Sequence, residues 1–277
     1  MNKYSFDSIK HLHFLTLENG EQKPLIGTTT AIGILDKPLA YWASGLAVKE
    51  LGWSPINDKI TKKKIARELR LPIAAQRFAE IKTLTDDEYL TLLDKGYKAH
   101  AASKDKSADK GVDLHSLLEQ YILSQINGVK VPVLAEIEAF AQWSEKNGKR
   151  FLFTELHCYS EVLWCGGIAD FGYIDMNGEV VLGDFKSSPV PYYSHWLQCG
   201  AYQTQLEENG GFSANGNKIF TLPKEIKYHA IFCAGKGLDK PFFNKETDKL
   251  RKAFAYAVKL YQEKIWWEDG KYVISTS

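Results

Sequence analysis

Two β-rich runs, Ile168 to Asp175 and Glu179 to Phe185, stand either side of Met176-Asn177-Gly178. No other stretch constrains the chain as much. Asn-Gly between runs of β-branched and aromatic residues predicts a hairpin. A three-residue loop with Gly178 left-handed sets Asp175 opposite Glu179 and therefore Asp170 opposite Asp184. A two-residue loop would shift the register by one and turn Asp170 to the other face. Strand alternation also puts Asp184 and Lys186 on one face and Phe185 on the other.

Two facing carboxylates with a lysine two residues on make a poor piece of sheet, because like charges directly opposite repel. Read singly, each is a solvated charge on an exposed strand. Read together, with two glycines allowing close backbone approach, they form a site for a divalent cation. Oxygen donors suit Mg²⁺ or Mn²⁺, completed by water and substrate phosphate. Lys186 then supplies a point charge beside the phosphate.

These residues extend into a longer pattern: Gly111…His115, Glu155, Gly167…Asp170, Asp184-Phe185-Lys186 and Gln198…Tyr202. In that order they resemble the PD-(D/E)XK nuclease superfamily in its RecB-like exonuclease branch, over about ninety residues. The surroundings are most similar to mitochondrial genome maintenance exonucleases and phage exonucleases, to which Thr29-Thr30-Ala31-Ile32 and Leu39-Ala40-Tyr41-Trp42 add a looser likeness. The resemblance implies an α/β, restriction-endonuclease-like core, a central mixed sheet flanked by helices, with an N-terminal helical elaboration. It implies a metal-dependent DNA exonuclease acting on single-stranded or free ends. His115, Asp170, Asp184 and the Phe185 carbonyl are its metal ligands, one or two Mg²⁺ or Mn²⁺ ions. Glu155 is either a further ligand or the group that orients Lys186. Lys186 positions or deprotonates the attacking water, and Gln198 and Tyr202 contact DNA or brace the site. Three alternatives stay open: a structure-selective or nicking endonuclease on the same site, a non-catalytic nucleic-acid-binding module, and an RNA nuclease. On the exonuclease reading, Asp184→Ala or Lys186→Ala abolishes hydrolysis with little change in thermal stability.

The whole chain bounds these readings. Its 277 residues suit one domain with an elaboration, divided here as 1–110 (hairpin and basic helical region) and 111–277 (nuclease core). A hydrophobic fraction of 44% supports a packed core, and a net charge of +1 excludes a globally basic nucleic-acid binder. DNA contacts must then come from local patches; no membrane is implied, and a recombination or replication partner protein is left unassigned. Met1 to Lys10 is polar, so no signal peptide is expected. Cys158, Cys165, Cys199 and Cys233 are spaced 7, 34 and 34 apart, without C-x-x-C. That spacing predicts buried free thiols in a reducing, cytoplasmic setting and no iron–sulfur cluster.

Along the chain, His11–Thr16 and Gln22–Ile26 predict a hairpin. His11-x-His13 lacks the acidic or cysteine partner a metal pair needs. Thr28–Thr30 predict a helix start for an apolar run through Leu35 and Leu39 to Leu51. From Asp58 to Lys110 basic residues outnumber acids, with helical periodicity at 60–78 and 86–101. That region is either a solvated face or a lid whose lysines track phosphates and whose aromatics meet bases. Leu114, Leu117, Leu118, Tyr121 and Ile122 give the next helix a buried stripe, with His115 and Glu119 sharing a face beside it. Residues 133–147, 193–208 and 246–267 predict helices, and 151–159 and 226–233 predict strands. The first of these strands is expected to set Glu155 and His157 on one face.

Overall fold

The computed structural model describes residues 3–35, 40–54, 63–147, 150–235 and 237–268, with backbone alone at 40–42, 100–113 and 266–268. Leu39, Asp58–Lys62 and Gly148 of the sequence reading lie outside the described residues. In chain order the elements begin β1 (Tyr4–Asp7), β2 (Leu12–Thr16), β3 (Gln22–Pro24), β4 (Ile26–Gly27), α1 (Thr28–Ile32), α2 (Ala40–Lys49), α3 (Arg67–Ile81) and α4 (Asp86–Asn127). They continue α5 (Glu138–Lys146), β5 (Arg150–Ser160), β6 (Cys165–Ile174), β7 (Val180–Lys186), α6 (Tyr193–Asn209), β8 (Gly211–Phe212), β9 (Lys218–Phe220), β10 (Ile226–Cys233), β11 (Phe242–Asn244) and α7 (Thr247–Glu268). No helix among the described residues is long and apolar enough to cross a membrane.

Two compact units result: Met1–Asp36 with Gly111–Ser277, and Lys37–Lys110. The predicted boundary at residue 110 coincides with the end of the second unit. Residues 1–36, which sequence reading groups with the basic region, belong instead to the first. The reason is a small sheet, β1-β2-β3, whose Tyr4, Leu15 and Leu25 are buried against Tyr159 and Phe212. The Tyr4 hydroxyl sits 2.6 Å from His13 Nδ1 and 3.1 Å from His157 Nδ1, fastening this sheet to β5.

The first unit is an α/β structure around a mixed sheet in the order β11-β10-β7-β6-β5-β8-β9, with β4 beside β6. β7 and β10 run parallel, and α6 lies in the crossover that a parallel pair requires. On one face, Leu118, Tyr121 and Ile122 of α4 and Phe140 and Trp143 of α5 close over Phe171, Val181, Phe185 and Phe232. On the other, Cys199, Tyr202 and Leu206 of α6 meet Leu156, Leu182 and Ile231, and α7 packs outside α6 through Leu250, Phe254 and Val258. All four cysteines are buried.

The central hairpin has the register its turn dictates. Ile174 pairs with Val180 and Phe171 with Gly183, while Gly178 at φ 76° supplies the left-handed residue that a three-residue loop needs. Elsewhere the boundaries differ from the sequence reading. Residues 86–127 form one helix where periodicity predicts two stretches, and the helix predicted over 133–147 starts at Glu138. Two short strands, β8 and β9, lie between the predicted helix ending at 208 and the predicted strand starting at 226.

The second unit holds α2, α3 and the first part of α4. Among its described residues α3 buries none, and Leu69, Leu71, Ile73 and Phe78 are exposed on it. Lys64, Arg67, Lys82, Lys95 and Lys98 are exposed as well.

Candidate metal centre

The candidate centre forms where strand alternation fails. Phe153 and Leu156 are three residues apart on β5 yet share the cluster under α6. Ala169 and Phe171 are two apart on β6 yet belong to opposite clusters. Both strands therefore break at the same rung, between the pairs Thr154↔Phe171 and Leu156↔Ala169. That rung holds Glu155 and Asp170. Glu155 has φ 44°, a left-handed backbone that costs an L-residue on the order of 1 kcal/mol. The expected common face for Glu155 and His157 is thereby corrected. Glu155 lines a cavity of about 310 Å³, whereas His157 is held by Tyr4 in the N-terminal aromatic cluster.

His115 reaches the same cavity from α4, beside the stripe that buries Leu118, Tyr121 and Ile122. One ligand atom each from His115, Glu155 and Asp170 lies within 4.8 Å of the other two. His115 Nδ1 is 3.9 Å from Asp170 Oδ2, so the imidazole and carboxylate approach without a hydrogen bond. The Phe185 backbone N–H donates to Asp170 Oδ2 at 2.8 Å, fixing that carboxylate from β7. An imidazole and two carboxylates form a donor set that can hold a divalent cation.

Asp184 is not part of this group of three. The β6–β7 pairing runs as far as Phe171 opposite Gly183, the rung before Asp170 and Asp184, and the Asp184 carboxylate is buried, with Oδ2 2.6 Å from Lys186 Nζ. That contact has ion-pair distance without hydrogen-bond geometry, and neither carboxylate oxygen has another partner among the described residues. Neither Asp184 nor Lys186 lines the cavity. The structure brings Asp170 together with Glu155 and His115, and it leaves Asp184 paired with Lys186. Phe185, proposed through its carbonyl, contributes its amide N–H to Asp170 and its ring to the core. Asp184 and Lys186 are each the other's counter-charge, with Asp184 fully buried, so removing either one bears on stability as well as on any reaction.

The electrostatics follow from crowding. Burial, then Asp170, Glu119 and Asp184, push the Glu155 carboxyl up to about 8, with Lys186 opposing. Burial also raises Asp184, to about 7, against the pull of Lys186. Burial acts to lower Lys186, but Asp184 and Asp170 outweigh it and the ammonium is retained. The two directions have different leading causes: burial for Asp184, and the neighbouring carboxylates for Lys186.

Gln198 and Tyr202, one turn apart on α6, also line the cavity, and the Gln198 amide donates to the Tyr202 hydroxyl at 2.6 Å. Gly167 makes their approach feasible, since a Cβ there would lie 2.6 Å from the Tyr202 ring and 2.8 Å from Thr28 Oγ1. Sequence reasoning sets His11 and His13 aside for want of an acidic neighbour. The fold supplies two, Glu155 and Asp170, in the cavity that both histidines line. Only the tertiary placement of β2 against β5 and β6 reveals this, and no local spacing signals it.

Glu155→Asn separates strain from function. Asparagine tolerates the left-handed backbone and removes a carboxyl whose ionised form burial and its acidic neighbours disfavour. We expect the melting temperature in EDTA to rise by about 3 °C, while Mn²⁺ affinity falls at least about tenfold. A lower melting temperature would contradict the strain assigned to Glu155.

Comparison of the sequence with models of known protein families and with curated proteins finds no match.

Proposed function

We propose that this chain is a metal-dependent deoxyribonuclease with a restriction-endonuclease-like core of the PD-(D/E)XK type, acting on the ends of single-stranded DNA. The observation that carries this reading is the convergence of His115, Glu155 and Asp170 within 4.8 Å in one cavity. The ion pair of Asp184 and Lys186 stands on the adjoining strand. The motif order from Gly111 to Tyr202 supports the nuclease class, and the exposed basic side chains of the second unit support a polyanionic substrate.

His115, Glu155 and Asp170 would hold Mg²⁺ or Mn²⁺, with the Phe185 carbonyl as the backbone oxygen that the resemblance adds. Such an ion supplies activation of water and neutralisation of charge on the phosphate and leaving oxygen. The Phe185 N–H keeps one oxygen of Asp170 oriented. Lys186, its ammonium retained beside Asp184, acts as a fixed positive charge behind the carboxylates rather than as the base. The bonded Gln198–Tyr202 pair forms a rigid wall against which a nucleotide can be oriented.

End-labelled single-stranded DNA, linear and circular, tests the mode of action. With Mg²⁺ or Mn²⁺ the linear strand is degraded and the circle is spared, and EDTA stops the reaction. Efficient cutting of circles would replace the exonuclease with an endonuclease on the same centre. No cutting of either form would remove the reading.

A further inference from the structure

The second unit contains a cavity of about 700 Å³ that the proposed hydrolysis does not use. Leu51, Trp53 and Leu71 give it an apolar wall, and Trp53 is 39% exposed there. Its polar lining includes Ser54, Lys64, Arg67 and Arg70, and no acidic side chain lines it among the described residues. Neighbouring cations are already engaged: Arg77 donates to the Glu50 carbonyl and pairs with Glu80, and Lys95 pairs with Glu50. Arg70 differs. Its Nε–H and the Ser54 hydroxyl are buried without a hydrogen-bond partner among the described residues. Buried donors left in this way carry an uncompensated desolvation cost, and a bound acceptor recovers it.

The chemistry of the missing acceptor follows from the lining. Three cationic side chains without a counter-acid among the described residues call for an anion, and a guanidinium N–H beside a hydroxyl matches phosphate oxygens. The volume is far larger than a phosphate ion needs and falls in the range of small-molecule sites. An exposed indole between leucines suits a flat ring. We infer that this cavity binds a nucleotide, its phosphate at Arg70, Lys64 and Arg67 and its base on Trp53. A free mononucleotide and one nucleotide of a single strand share that chemistry. The inference goes beyond the hydrolytic reading and does not depend on it, because binding here requires neither the metal nor turnover.

The test is calorimetric titration of the full chain in EDTA with deoxythymidine monophosphate, a short deoxythymidylate oligomer and inorganic phosphate. Nucleotide binding is expected to weaken at least about tenfold in both Arg70→Gln and Trp53→Leu. Arg67→Gln, at an exposed position, carries the same test should either of those fail to fold. An oligomer bound about tenfold tighter than the monophosphate assigns the site to a strand, and equal affinities assign it to the free nucleotide; both support the site. Three results would overturn it: no nucleotide binding, inorganic phosphate bound as tightly as the nucleotide (an adventitious ion only), or variants that bind as well as the parent. Hydrolysis assayed separately with Mn²⁺ is untouched by any of these, so failure here leaves the metal centre standing.

Discussion

Asp170→Asn is expected to lower DNA hydrolysis by about a thousandfold while leaving the chain folded. Asparagine keeps an oxygen that can accept the Phe185 N–H, which now holds Asp170 Oδ2 at 2.8 Å. It keeps nearly the same volume in a buried position. What it removes is the negative charge nearest to both His115 and Glu155, and with it one of three donors to a cation. A loss of activity accompanied by an unchanged melting temperature in EDTA therefore isolates the charge from the packing. Comparable loss of both would mean that Asp170 is a structural residue, and retained cleavage would dissociate the cavity from the reaction.

The second large effect concerns stability as much as catalysis. Asp184 is 1% exposed, and among the described residues Lys186 is its sole charged contact at ion-pair distance. Lys186→Met leaves a carboxylate inside the protein without its counter-charge, and Asp184→Asn leaves an ammonium in the same condition. Each single change should cost about 3 kcal/mol, since breaking a buried pair exposes the desolvation cost that the pair had offset. The double variant, Asp184→Asn with Lys186→Met, should recover most of that loss but no hydrolysis. Urea unfolding of the four proteins in EDTA gives the coupling energy directly. Single variants that unfold at the parent's midpoint would refute the pairing and restore the picture of two solvent-facing charges.

The contrast between these two residues shows what the sequence could convey. The hairpin register is a local matter: Gly178 must be left-handed, the loop then has three residues, and Phe171 comes to stand across from Gly183. The stripe from Leu114 to Ile122 likewise announces a buried helix face, and His115 sits beside it as its spacing requires. The depth of Asp184 is another kind of quantity. It depends on α6 and β10 closing over β7, and Gly183-Asp184-Phe185-Lys186 reads the same on an exposed strand. Glu155 was legible as a strand residue but not as a left-handed one. Nothing in Phe153-Thr154-Glu155-Leu156-His157 asks for the positive φ that Glu155 adopts. β1 escaped notice because four residues, Tyr4 to Asp7, are too short to establish a period, and their pairing partner lies across a turn.

The centre itself is best tested by locating a manganese ion in crystals of the protein from its anomalous scattering. A single strong peak in contact with His115, Glu155 and Asp170, abolished by Asp170→Asn, is the predicted result. Manganese bound elsewhere, or none at concentrations that support cleavage, would contradict the assignment.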